Sequence, residues 1–416
     1  MKGATPKCIV LLVWVVLLTS STLVVAQSGS LDPSFGTAGI VTTPGTIGGT
    51  ALAVQSDGKL VVAGAVPVSN VTVTLALARY NTNGGLDSGF GRGGIVTFSE
   101  GQAFGMGLQS NGKIVVGAPG PRFSVVVLRF NSNGSLDATF GTSGIVTLGQ
   151  FGRVFQPVTG SVRIEPNDDI LVAVGSPIVR LLPNGQIDAA FGKGGTASVV
   201  DGTSALSLLP NGEILAASSF TFTAGAVALY NTNGNLDKTF GVNGQAAGLG
   251  TVAAIAPLSN GQFIAAGTLN SSVAAAGSVP QEGFSIVRYN TNGAPDITFG
   301  NHSGAITPFP GNAFAGAKAL AVQSNGDIIA AGQTSAVNPS LGPNQASFAL
   351  ARYTRNGPLD TTFGTNGLVT TSFGNQVATV AAVAIQSDGK IVVLGNENPS
   401  SVGMPNNGFT LARYLP

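Results

Sequence analysis

Seven aspartates recur in one phrase, Leu-Asp-x-x-Phe-Gly: Asp32, Asp87, Asp137, Asp188, Asp237, Asp296 and Asp360. Carboxylates in number are raw material for general acid–base work. An acid and its base, however, need unlike surroundings to hold their pKa values apart, and seven equivalent positions offer the opposite. A second pattern suggests another use. Arg79 precedes Asp87 by eight residues, with the Asn83-Gly84 turn midway, so the two should face each other across a hairpin. The same spacing links Arg129 to Asp137, Arg180 to Asp188, Arg288 to Asp296 and Arg352 to Asp360. Arg413 would meet Asp32 if the chain ends join. A repeated structural Arg–Asp clip is therefore expected rather than a catalytic carboxylate.

Other chemistries find less material. Asn81-x-Asn83-Gly84-x-x-Asp87 echoes an oxygen-ligand loop, so calcium is the one cofactor to weigh. Calcium loops usually supply several carboxylates, though, and most units here offer one. His302 is the only histidine and Cys8 the only cysteine, which excludes a zinc site on ligand count and leaves nucleophilic catalysis without its usual pair. Gly192-Lys193-Gly194-Gly195-Thr196 looks phosphate-like but lacks the strand–loop–helix setting of a phosphate loop. No catalytic residue is assigned and no metal ligand.

The elements that position the aspartates recur with them. The phrase's phenylalanine falls at Phe35, Phe90, Phe140, Phe191, Phe240, Phe299 and Phe363, 49 to 64 residues apart. Within each period, a turn such as Ser56-Asp57-Gly58 enters an apolar run, and a second run ends like Leu77-Ala78-Arg79-Tyr80. In the unit from Ala51, the pattern predicts a first strand over 51–55, a second through Leu60–Val62, a third through Leu75–Tyr80, and a fourth within Leu86–Thr97. A repeat of this length, all strand and turn, predicts an all-β fold: a seven-bladed β-propeller of four-stranded blades. The last unit stops after a third strand at Leu411–Tyr414. The first begins at Leu31-Asp32 with a fourth. Pairing the N-terminal strand with the C-terminal strands would close the ring and remove open edges.

The Leu-Asp-x-x-Phe-Gly-x-x-Gly phrase with its Asn-Gly turn resembles the delta-60 repeat family of secreted β-propellers, across essentially residues 31–416. The resemblance implies the propeller fold and no known activity, so it contributes no catalytic residues. Ile187 and Pro295 depart from the phrase's leucine, and Leu229 stands where other units place arginine.

Residues 1–26 read as a secretory signal: Lys2 and Lys7, an apolar core from Cys8 to Leu18, and Val24-Val25-Ala26 before Gln27. An uncleaved anchor is the alternative, and only then is a membrane expected as partner. Residues 27–416 are expected to form one propeller domain, secreted to the extracellular space, periplasm or cell envelope, and monomeric. Charged residues make up 9% and net charge is +1. Nucleic acid is excluded as a partner, since its binding needs a basic field.

Strands alternate in direction, so first-to-second and third-to-fourth turns share one rim, and these are short throughout. The other rim carries long, variable connections (148–161, 269–283, 333–347 and 396–408) and is the expected working surface. Its candidate ligand-binding residues are Phe98, Glu100, Phe104, Arg122, Phe151, Arg153, Phe155, Phe309 and Phe314. The expected function is a non-catalytic recognition or scaffold module that binds a protein, glycan or surface polymer there. The alternative is a hydrolase or lyase at the central channel mouth, with Glu100, Asp201 and Glu282 as the available acids.

Overall fold

The turns set the architecture. Gly58 adopts φ 81° and its amide donates to the Gln55 carbonyl at 2.9 Å, a backbone conformation that residues with a Cβ rarely take. Gly84 closes the next hairpin in the same way on Asn81. Four antiparallel strands result: Ile47–Val54, Leu60–Pro67, Val73–Tyr80 and Ile95–Phe98. They pair in sequence order, with Val54 opposite Leu60, Leu60 opposite Tyr80, and Leu77 opposite Val96.

The computed structural model describes residues 27–69, 72–150, 160–199, 203–218, 226–247, 251–268, 283–301, 304–336, 346–374, 376–399 and 408–416. Four further four-stranded sheets start with Gly105–Leu108, Gly160–Ile164, Ala205–Leu208 and Thr251–Pro257. The remaining strands form an eight-stranded mixed sheet. One part holds Asn312–Val322, Ile328–Ala336, Ala346–Tyr353 and Leu368–Thr371. The other holds Gln376–Ile385, Ile391–Pro399, Phe409–Tyr414 and Ile40–Thr43. A single parallel pair, Ala346 opposite Val377, joins the two parts. The only helical piece among the described residues is the short 3-10 turn Pro121–Phe123.

The core lies between sheet faces. Leu60, Val62, Ala76 and Ala78 of one sheet pack against Val392, Leu394, Phe409 and Leu411 of another. Because second and third strands are covered on both faces, they read as continuous apolar runs, and Leu60–Ala65 and Leu75–Tyr80 are buried throughout. Phe35, Phe90, Phe140, Phe191, Phe240, Phe299 and Phe363 are all at most 2% exposed.

Each phrase also stitches its sheet to the next. The Gly91 amide donates to the Asn133 carbonyl at 3.0 Å, Gly141 to Asn184 at 3.0 Å, Gly192 to Asn233 at 2.6 Å, Gly241 to Asn292 at 2.8 Å and Gly300 to Asn356 at 2.9 Å. Gly36 bonds to Asn83 at 2.8 Å. Gly364 bonds to Ser28, near the other end of the chain, at 2.9 Å.

Three expectations change. Only the end of the stretch 86–97 is strand: Leu86 makes only an isolated bridge to Tyr80, then the chain turns, with the Phe90 amide on the Asp87 carbonyl at 3.0 Å, and the fourth strand begins at Ile95. The same offset moves the N-terminal strand to Ile40–Thr43, where Ile40 pairs Ala412 and Thr43 pairs Phe409. The connections expected at 333–347 and 396–408 are shorter, because strands run on to Ala336 and Pro399. Residues 1–26, and with them the signal-or-anchor reading, lie outside the described residues.

Candidate functional site

The repeated arginines are built into the hairpins that precede each phrase. Arg79 Nε lies 2.8 Å from Asp87 Oδ2, and Arg129 Nε lies 2.7 Å from Asp137 Oδ2. Arg180 to Asp188, Arg288 to Asp296 and Arg352 to Asp360 each stand at 2.8 Å, and Arg413 to Asp32 at 2.9 Å. Each guanidinium also sits over its phrase's ring, with Cζ 4.4 Å from the Phe35 centroid and 4.7 Å from that of Phe90. Nη1 reaches across to a turn carbonyl of the following sheet: Arg180 to Thr232 and Arg288 to Arg355 at 2.7 Å, with Arg79, Arg129 and Arg413 bonded likewise to Ser132, Pro183 and Thr82. One side chain thus serves an ion pair, a ring and a neighbouring sheet. Neither contact was foreseen from sequence spacing: the ring lies in the turn beyond the hairpin pair, and the carbonyls belong to a different repeat.

These surroundings fix the carboxylates in their charged form. At Asp296 burial opposes ionisation, but the Thr298 hydroxyl and amide, Arg288 and Gln262 outweigh it and bring the pKa down to about 2. Asp32, Asp87, Asp137, Asp188 and Asp360 are likewise held below the usual carboxylate range. Asp237 has no arginine, since Leu229 takes that place. It accepts from the Thr239 amide and hydroxyl at 2.9 and 2.6 Å, and Phe240 lies instead 6.1 Å from the Phe263 ring.

A calcium ion at the turn after Asn81 would have to displace these donors. Asp87 Oδ1 already accepts from the Gly89 amide at 3.0 Å, and Oδ2 from Lys59 at 2.8 Å as well as from Arg79. Among the described residues no three His, Cys, Asp or Glu side chains gather. His302 lies outside the described residues.

The rim candidates separate. Phe104 and Phe309 are 6% and 3% exposed, so little of either ring is open on the long-connection rim, although Phe104 borders the central cavity. Phe104 fills the space beside Gly117 and Gly160, and Phe309 packs on Phe284 with centroids 4.8 Å apart. Phe98 and Phe314 are half-buried; Phe98 meets Phe130 edge-on at 6.3 Å. Glu100 is half-buried too, and desolvation raises its carboxyl pKa. Arg122 is exposed in a left-handed conformation. Phe151, Arg153, Phe155, Asp201 and Glu282 lie outside the described residues. Phe123, 64% exposed beside Arg122, and Val68, 68% exposed, were missed, because a single aromatic or aliphatic residue in a turn carries no periodic signal.

A cavity of about 240 Å³ is lined by residues from seven different first strands, among them Thr50, Gly105, Ser161, Ala205, Ala254, Ala319 and Ala382. Its wall is mostly small or aliphatic, with Phe104 and Met106 as well, and two cations enter it, Arg163 and Lys318. Arg163 is open to the cavity's solvent yet enclosed by surrounding protein, and that enclosure pulls its pKa below the usual arginine value. Repeat alignment carried a signal for it: the matching positions are Ala53, Gly107, Ser207, Ala256, Ala321 and Ala384.

Sheets of four antiparallel strands, with first strands about a shared cavity, define a β-propeller, here of unknown function. The model of "Domain of unknown function (DUF5122) beta-propeller" matches residues 55–90, 109–140, 209–240 and 323–363, which supports an uncharacterised β-propeller family. No curated protein sequence matches the chain. Among solved structures, a chain from a mitotic checkpoint complex aligns at 11% identity over 99% of both chains with a TM-score of 0.50. A protein of unknown function from Bacteroides caccae aligns at 13% identity over 61% of this chain and 80% of its own, TM-score 0.37. A fungal alcohol oxidase aligns at 14% over 91% and 76%, TM-score 0.48. At these identities the likeness concerns fold alone.

Proposed function

We propose that this protein is a secreted, seven-bladed propeller of the delta-60 repeat kind that recognises a protein, glycan or surface polymer through its long-connection rim. The ring reading treats the eight-stranded sheet as two blades touching at Ala346 and Val377. It takes support from the pairing of Ile40–Thr43 with Phe409–Tyr414, and from the Gly364-to-Ser28 bond that continues the sheet-to-sheet series.

One observation carries recognition over catalysis: the described wall of the cavity is alanine, glycine, hydroxyl and aliphatic side chains with Phe104, Met106, Arg163 and Lys318, and none of these described residues is a carboxylate or a histidine. A hydrolase or lyase at the axis would need an acid–base pair directed at its substrate. On the rim, Arg122 beside the exposed Phe123 offers the charged and aromatic combination common at binding hot spots.

Purified protein applied to arrays of glycans and envelope polymers, with and without calcium, tests the reading. Specific capture weakened about tenfold by Phe123→Ser supports it. Cleavage of a captured polymer would instead establish the hydrolase or lyase alternative, and capture unmoved by Phe123→Ser would take the rim out of account.

A further inference from the structure

We infer that Arg163 and Lys318 together form a binding site for one small oxyanion, a phosphate, sulfate or short dicarboxylate, inside the cavity bordered by the first strands. The inference deepens the recognition reading and rests on its ring.

The first strands can be counted back from their last residues, Val54, Leu108, Ile164, Leu208, Pro257, Val322 and Ile385. Four positions back lie Thr50, Phe104, Gly160, Ser204, Ala253, Lys318 and Ala381, and all of them line the cavity. At four of the seven the strand bulges, the pairing register skipping Thr50 (with Gly48 and Gly49), Ala253, Lys318 and Ala381. A bulge re-aims its extra residue away from the ladder. Lys318 is the one bulge residue with a long side chain, and it is exposed to the cavity.

Arg163 belongs to a different level, one position back, about 10 Å along the strand at the usual rise. It is the only residue of that level that lines the cavity, so its side chain extends toward the level of Lys318. Its six counterparts are alanine, glycine or serine. The chain has therefore put one long cation at a level otherwise made only of alanine, glycine and serine, and a second at a level that, Phe104 apart, carries alanine, glycine, serine and threonine.

Neither cation forms an ion pair among the described residues. Arg163 spends one N–H, from Nη1 to the Val162 carbonyl at 2.9 Å, which leaves donors for a bidentate contact. The hydroxyls of Thr50 and Ser204 already donate to backbone carbonyls, Thr50 to Ala103 at 2.9 Å and Ser204 to Ala217 at 3.1 Å. Two like charges sharing an enclosed space repel, and a dianion between them turns that repulsion into attraction. The cavity of about 240 Å³ suits a single oxyanion and excludes an oligosaccharide.

Calorimetry of the full chain with inorganic phosphate, sulfate and malonate at low ionic strength tests this. Saturable one-to-one binding is expected for at least one of them. It should weaken tenfold or more in Arg163→Gln and in Lys318→Met, and be unchanged in Lys193→Met, whose side chain lies in an exposed turn. Lys318→Met should also raise the melting temperature in anion-free buffer and abolish the rise that the anion produces. Absence of saturable binding to all three anions, or equal binding by wild type and both cavity variants, overturns the site. The ring has its own check: with Cys8→Ser, Thr42→Cys and Thr410→Cys should close an intramolecular disulfide. If that bond forms and binding is absent, the anion site alone fails. If the bond does not form, the ring fails and takes the site with it.

Discussion

Arg413 and Asp32 are separated by 381 residues and meet at 2.9 Å, with the guanidinium stacked 4.4 Å above the Phe35 centroid. Both side chains are nearly inaccessible, at 4% and 5%. The contact repeats, between the two ends of the chain, the unit that Arg79, Asp87 and Phe90 make within one hairpin.

Removing one partner of a buried pair leaves the other without compensation, which typically costs about 3 kcal/mol. Arg413→Ala should therefore lower unfolding stability by about that amount. Lys390→Ala, whose ammonium is 3.4 Å from the same carboxylate and partly exposed, should cost less than about 1 kcal/mol. Urea unfolding measures both. Equal small losses would mean that the ends contribute little to holding the structure.

Asp137 and Asp237 occupy the same position in the phrase with different company. Asp137 holds Arg129, Lys113 and Thr139, whereas among the described residues the side chain of Asp237 is held by Thr239. Asp137→Asn is expected to cost about 2–3 kcal/mol and Asp237→Asn under about 1. A reversed order in thermal melts would contradict the account of the clip.

Acid should unfold the protein over a definite window. Carboxylates whose folded pKa is depressed stabilise the fold above their unfolded value, near 3.8, and that stability disappears as pH falls through the folded value, about 2 for Asp296. Loss is expected between about pH 4 and 2. Glu165 has the opposite sign. Desolvation raises its pKa despite Arg180, so its protonation favours the folded state and stability should rise slightly as pH falls toward the unfolded value of 4.5. Glu165→Gln, the residue found at Gln55, Gln109, Gln323 and Gln386, should remove that rise from a melting-temperature profile.

Much of this was legible in the chain. The spacing of Arg79 and Asp87 about Asn83 gave the cross-strand contact, since a hairpin's register follows from its turn. The offset fourth strand was not legible, because Leu86-x-x-x-Phe90 carries an apolar residue at each end, four apart, and mimics strand alternation while forming a turn. Phe104 and Phe309 look like rim aromatics in sequence, and become core only when a glycine or a second ring from elsewhere supplies a place for them.

The repeating strand-and-turn unit, its phenylalanine core and its aspartate clips are written into the order of residues, because all of these rest on local periodicity and turn geometry. Which residues share a cavity follows from the folded arrangement of the sheets. Arg163 and Lys318 lie on separate repeats, and no local rule tells a strand which other strands its edge will face. That choice belongs to the packing of whole sheets against one another.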